Sequence, residues 1–239
     1  MSKIISVTGP AVSGKTVLSI KLAQEIYEKK KSKKRIIVLS PDTKVPVMGY
    51  VFPNRKNNEL FSLSDILNRT DIYKEDILKN TVTVKNMMNL GYIGFKMGEN
   101  KYSFPKPTRN KVLELLDRLR EIADYVIVDS ASGSMLSDIA VSQSDNVVQI
   151  IKPDFKCMVY YASNADKFSD NENTVKVMNI TEKDMYLPKE DIARYFNKVK
   201  FTFPFSFDIN KQAYTGGLPE SIKDKKYKKV LSLLAKEVM

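Results

Sequence analysis

The sequence predicts a three-layer α/β fold: a doubly wound, mainly parallel sheet with helices on both faces. Three observations predict it. Short apolar runs alternate with amphipathic helical stretches along the chain, and strands separated by helices pair in parallel through βαβ crossovers. The first run, Lys3–Thr8, ends at a glycine-containing turn that opens directly into a helical stretch. A later apolar run ends at Asp129, and a parallel sheet puts such a residue at its carboxyl edge, where ligands bind.

The elements follow in chain order. Lys3–Thr8 reads as a short buried strand, and Thr16–Lys30 as a helix with Leu18, Leu22, Ile26 and Tyr27 on or near one face. Lys29, Lys30 and Lys31 close that helix, where cations favour the helix dipole. Arg35–Ser40 is a second apolar strand and completes a βαβ unit. From Pro41 to Pro107 the pattern is less regular. Ser62–Arg69 and Lys74–Asn80 read as short helices, with Ser62 and Asp71 as caps. Thr81–Lys85 and Leu90–Phe95 read as strands of an insertion or sheet edge, since no flexible linker marks off a second domain. Thr108–Ala123 is an amphipathic helix carrying Val112, Leu115, Leu116, Leu119 and Ile122 at helical spacing. Strands follow at Tyr125–Val128, Asn146–Ile151, Val175–Met178 and Val199–Phe203. Helices fit Ser134–Ser142, Phe155–Asp166, Lys189–Phe196 and Ile222–Val238. The whole chain, 1–239, is expected to form one domain.

Composition narrows the chemistry. The 239 residues, 43% hydrophobic, are enough for one sizeable core. No apolar run approaches the roughly 18 residues needed to span a bilayer, and no signal-peptide pattern precedes the first strand. The single cysteine, Cys157, has no partner for an internal disulfide, which fits a reducing cytoplasm. A cytoplasmic location is expected, with a peripheral place at the inner face of the membrane left open. The chain has no histidine. That excludes His-based triads, zinc sites with His ligands and an imidazole general base. A water attacking a phosphoanhydride would be positioned by carboxylate, amide, backbone or metal. The net charge of +11 favours an anionic partner: DNA, an acidic membrane surface or an acidic protein. A lysine-rich surface serving solubility is the alternative. Much of the charge lies in Lys29–Arg35 and Lys223–Lys229.

The segment Gly9, Pro10, Ala11, Val12, Ser13, Gly14, Lys15, Thr16 fits the P-loop pattern G-x-x-x-x-G-K-[ST], between a strand and a helix as the motif requires. Glycines let the backbone curl so that successive N–H groups point into one concavity. The following helix turns its positive end to the same point. Lys15 is expected on the β- and γ-phosphates and the Thr16 hydroxyl on Mg²⁺, with Val17 bordering the site. Pro10 lacks an N–H, but the central donors come later in the loop. Asp129 is the natural Walker B aspartate, and Asp42 is a third candidate to hold Mg²⁺ or orient the attacking water. The expected ligand is therefore ATP with Mg²⁺. Lys15, Asp42 and Asp129 form the catalytic set, and Thr16, Asp42 and Asp129 the metal set.

With these motifs the chain resembles the ParA/MinD superfamily of P-loop ATPases. The likeness includes S-P-D-T after the second strand and V-I-V-D as Walker B. Two late features add to it. V-K-V-M-N ends at Asn179, similar to the asparagine that reads the adenine base in that family. The segment 203–220 carries Pro204, Ala213, Gly217 and Pro219 at positions like those of the family's late segment. There, backbone near the proline borders the base, which points to Pro204 and Phe205. The resemblance implies an ATP-dependent homodimer that positions or partitions a cellular assembly.

The departures are specific. Pro10 stands where the family has a signature lysine, Ser40 where it often has a first aspartate, and Ser130-Ala131-Ser132 where prolines usually follow Walker B. Degenerate P-loops of this kind are familiar in the CpaE/TadZ branch, which helps position pilus or secretion machinery. A slow ATPase switch is the leading expectation. A DNA-binding partition protein and a small-molecule kinase are the alternatives, although the arginines form no obvious lid motif. The last helix sets Tyr227, Val230, Leu231, Leu234 and Val238 beside Lys225, Lys226, Lys228 and Lys229. That stripe fits either a helix docked on the sheet or one lying in a membrane interface.

Overall fold

The computed structural model describes residues 2–56, 61–84, 86–99, 102–165, 172–183 and 187–239. Its strands are β1 (Lys3–Thr8), β2 (Ile36–Ser40), β3 (Val82–Val84), β4 (Met87–Gly94), β5 (Tyr125–Asp129), β6 (Asn146–Ile151), β7 (Thr174–Asn179) and β8 (Val199–Phe203). They form one sheet in the order β3-β4-β2-β5-β1-β6-β7-β8. Every neighbouring pair is parallel except β3 with β4. The predicted α/β class is thus the observed one. The carboxyl ends of β1, β2, β5, β6, β7 and β8 share one edge, and β1 lies between β5 and β6 where the strand order reverses. Ligands bind at such a switch point.

The sheet separates two cores because side chains alternate across a strand. Ile5, Val7, Ile36, Val38, Tyr125 and Ile127 pack on one face, and Ile4, Ile37, Leu39, Val126 and Val128 on the other. Strands covered on both sides read as continuous apolar runs rather than alternating ones, as these do. The first face is covered by α1 (Lys15–Lys29) and α10 (Lys225–Val238), which also pack on each other. The second is covered by α3 (Leu63–Leu67), α4 (Lys74–Lys79), α5 (Arg109–Ile122) and α6 (Met135–Ser142). A third cluster joins α7 (Phe155–Ala162) and α8 (Lys189–Phe196) to the ends of β6 and β7.

Several expectations change in detail. The last helix is docked: Tyr227, Leu231, Leu234, Ala235 and Val238 are buried against α1 and β8. It begins at Lys225, because Asp224 caps it by accepting from the N–H groups of Lys226 and Tyr227. Of the two strands predicted there, β3 alone lies at the sheet edge. β4 is longer than predicted and pairs internally with β2. Ser62 caps α3 as expected, but the N-cap of α4 is Tyr73 rather than Asp71. Two helices go beyond the sequence reading, α2 (Val47–Val51) and α9 (Phe207–Thr215). The predicted ends at Lys85 and Asp166 fall outside the described residues.

Candidate functional site

The loop between β1 and α1 takes a conformation that its glycines make possible. Gly14, the N-cap of α1, has φ 92°, and a Cβ there would meet Asn179 Nδ2 at 2.5 Å. At Gly9, φ 154°, a Cβ would lie 2.9 Å from the Ile150 carbonyl oxygen. Gly14 offers no side chain to cap the helix, and no acidic residue stands in its first turn. The first amides of a helix have no intrahelical acceptor, so this end is suited to an anion.

Four side chains, Lys15, Thr16, Ser40 and Asp129, gather at the head of α1. The Lys15 ammonium donates to the Pro10 carbonyl at 2.7 Å. The Thr16 hydroxyl donates to Asp129 Oδ2 at 2.8 Å, and the Ser40 hydroxyl donates to the same oxygen at 3.0 Å. Asp129 is buried at the end of β5. Burial pushes its carboxyl up to about 6, against the opposing hydrogen bonds from Thr16 and Ser40 and the charge of Lys15. Burial likewise lowers the Lys15 pKa, opposed by the charges of Asp129 and Asp42. Asp42 is half-buried just past β2, and its Oδ1 accepts from the N–H groups of Lys44 at 2.8 Å and Val45 at 3.0 Å. That carboxylate therefore shapes its own loop as an Asx turn.

A cleft of about 730 Å³ runs from this cluster along the carboxyl edge of the sheet. Ala11, Val12, Gly14, Lys15, Thr16 and Val17 line it, together with Asp42, Asp129, Asn179 and Pro204. Gly9, Pro10 and Ser13 are buried behind the lining. Phe205 is also outside it. Its ring packs with the α7–α8 cluster and meets Phe207 edge-on, with centroids 4.8 Å apart. Asn179 does more than line the cleft, because its Nδ2 donates to the Ser13 carbonyl at 2.9 Å and braces the loop.

The structure adds residues that the motifs do not include. Ser206, Ile209, Asn210 and Tyr214, from the start and body of α9, form the far wall together with Ala213 of the late segment. Their available signal was the cap Ser206, the acidic Asp208 in the first turn and Gly216 at the C-cap with φ 75°. Lys152 and Glu182 line the cleft as well. The Ser13 and Ser130 hydroxyls are buried without a hydrogen-bond partner among the described residues.

The donors here are hydroxyl and carboxylate oxygens, which suit Mg²⁺. No group of three or more His, Cys, Asp or Glu residues placed to hold a metal ion occurs among the described residues. Mg²⁺ does not require such a group, since it commonly takes one or two protein oxygens plus phosphate. The site fits that pattern.

A glycine loop at the switch point, leading into a helix beside a buried aspartate, defines the P-loop class of α/β folds. Within that class the fold is the one found in ParA/MinD ATPases. A ParA family ATPase from Chlorobium tepidum TLS superposes with a TM-score of 0.78 at 13% identity, over 99% of this chain and 99% of that one. The septum site-determining protein MinD from Pyrococcus horikoshii OT3, complexed with Mg-ADP, gives a TM-score of 0.71 at 18% identity, over 100% of this chain and 96% of that one. A plasmid partition protein from Borrelia burgdorferi B31, bound to AMPPNP, gives 0.69 at 15% identity, over 98% and 97%. No family model matches the chain, and no curated protein sequence does.

Proposed function

We propose that this protein binds ATP with Mg²⁺ and acts as a slowly hydrolysing, ATP-dependent dimeric switch that positions or partitions a cellular assembly. The observation that carries the reading is the meeting of Lys15, Thr16 and Asp129 at the uncapped head of α1. Lys15 would exchange the Pro10 carbonyl for the β- and γ-phosphates, while amides of residues 11–16 hold the tail. Thr16 and Asp129 are the residues that would hold Mg²⁺, with Ser40 fixing the carboxylate. The metal, when bound, offsets charge on the phosphates. Asp42, beside them, would orient the attacking water. Asn179 and Pro204, which line the same cleft, would border the base.

The ligands named with the similar structures support this reading: Mg-ADP with one and AMPPNP with another. A dimer is supported by exposed apolar side chains on elements that frame the cleft. Val12 is 87% exposed, Tyr214 89% and Val45 63%, and all three line the cleft. Exposed apolar groups beside a site are suited to contact with a partner. A location in the cytoplasm, free or at the inner face of the membrane, goes with this reading.

A second reading, ATP-dependent binding to DNA, is favoured by one observation. Lys228 pairs with Glu28 at 2.9 Å, which brings the two basic runs onto one surface. The experiment is calorimetry of wild-type protein with ATP and GTP plus Mg²⁺, followed by light scattering and phosphate release. The expected result is ATP binding, dimer formation and slow turnover. No heat with either nucleotide would refute the reading. DNA retention at low salt that falls steeply as salt rises would establish the second reading.

A further inference from the structure

Lys152 follows β6 directly. Because β6 pairs with β1 on the side away from β5, Lys152 leaves the sheet on the flank of the glycine loop opposite Asp129. The two segments are close there, since the Ile150 carbonyl is the oxygen that a Cβ on Gly9 would strike. The Lys152 side chain lines the same cleft as Lys15.

Its present partners differ in what holds them. The ammonium lies 2.7 Å from Glu182 Oε1 and 3.3 Å from Asp154 Oδ2. Asp154 is committed elsewhere: its Oδ1 accepts from the Cys157 N–H at 2.7 Å as the N-cap of α7, where its charge is offset by the helix dipole. The Glu182 side chain is 61% exposed. The backbone of Lys152 is fixed by its own N–H, which donates to Cys157 Sγ at 3.2 Å. The side chain can therefore change partner without moving the chain, and an exposed ion pair is worth little to keep. Burial pulls the ammonium pKa down, but Glu182 and Asp154 outweigh it and hold it above its ordinary value, so the group is charged at neutral pH.

Among the described residues the cleft holds few cations for a polyphosphate. Lys15, Lys44 and Lys152 line it, along with the acids Asp42, Asp129 and Glu182. Lys44 is exposed in the loop past β2. We propose that Lys152 is a second cation for the phosphate tail, parked on Glu182 and transferred to the nucleotide when it binds. The proposal rests on the nucleotide reading above and assigns that site a residue from outside its motif.

The test uses two variants for which this role and a merely structural role predict different signs. Calorimetry with ATP and Mg²⁺ is expected to show Lys152→Met binding about tenfold more weakly, the worth of one charge-assisted hydrogen bond. Lys152→Arg should restore most of the loss. Glu182→Gln, which removes the competing anion, is expected to tighten binding about threefold. If the pair only held the fold, both removals would weaken binding. Unchanged affinity in Lys152→Met, or weaker binding in Glu182→Gln, overturns the proposal while wild-type binding stands. Absence of binding in the wild type overturns it together with the nucleotide reading.

Discussion

At its phosphate end the cleft is made by residues that are neighbours in sequence, and at its far end by residues brought together from distant segments. Two lysines of α1 show the contrast. Lys15, at the head of the helix, makes one hydrogen bond among the described residues, to a carbonyl of its own loop. Lys21, further along α1, is fully buried and donates to three oxygens: Gln212 Oε1 at 2.5 Å, and the carbonyls of Leu218 and Glu220 at 2.7 Å each. Gln24 adds a bond to the Pro219 carbonyl at 2.6 Å. One helix thus presents a lysine able to change partner, and anchors α9 and the segment after it with another that is saturated. The difference teaches that the far wall depends on the first helix, although they lie almost 200 residues apart in the chain.

The largest expected effect breaks the phosphate end alone. Lys15→Met should weaken ATP binding by about a hundredfold, through loss of a charge-assisted contact in a partly buried site, and calorimetry measures it. Circular dichroism should show the fold unchanged.

Next comes the far wall. Lys21→Met leaves three acceptors without this donor, two of them in buried bonds, and should cost about 3 kcal/mol of stability in denaturant unfolding. Its pH dependence has a definite sign. Burial lowers the Lys21 pKa from 10.5 to about 8, opposed by Asp208 and Glu220. Between these values the unfolded chain holds a proton that the folded chain has released, so stability rises with pH across that window. Below pH 8 both states are protonated and the contribution is flat. Subtracting the Lys21→Met curve from that of the wild type should isolate this slope, and a falling difference would contradict it.

Asn179→Ala joins the two ends, since Asn179 lines the cleft and braces Ser13. A loss of about tenfold in ATP affinity is expected from one buried hydrogen bond. Phe205→Leu should change affinity less than about twofold, because the ring packs with the α7–α8 cluster and an apolar swap of this kind perturbs packing locally. A large loss there would return Phe205 to the base wall.

How much of this was legible follows the same division. The loop from Gly9 to Thr16 is contiguous, and its chemistry fixes its spacing, so position and partners could be read directly. Asp129 was legible because an apolar strand led to it. The bracing role of Asn179 was not, because it depends on Gly14 lacking a Cβ and on β7 lying two strands from β1. Helix α9 was missed because it buries only Ile209 and Gln212, too few for a helical stripe. Helix α2 has five residues, less than two turns. A lysine and a glutamine in the core, Lys21 and Gln212, read as surface residues until their partners are seen. Lys152 and Glu182 meet only because β6 and β7 pair in register.

The most direct test is an amide NMR titration of ¹⁵N-labelled protein with ATP and Mg²⁺. The largest shifts are expected at the N–H groups of Gly14, Lys15 and Thr16, with smaller ones at Asn179 and along α9. Shifts that spare the loop, or no shifts at saturating nucleotide, would contradict the assignment of the phosphate site.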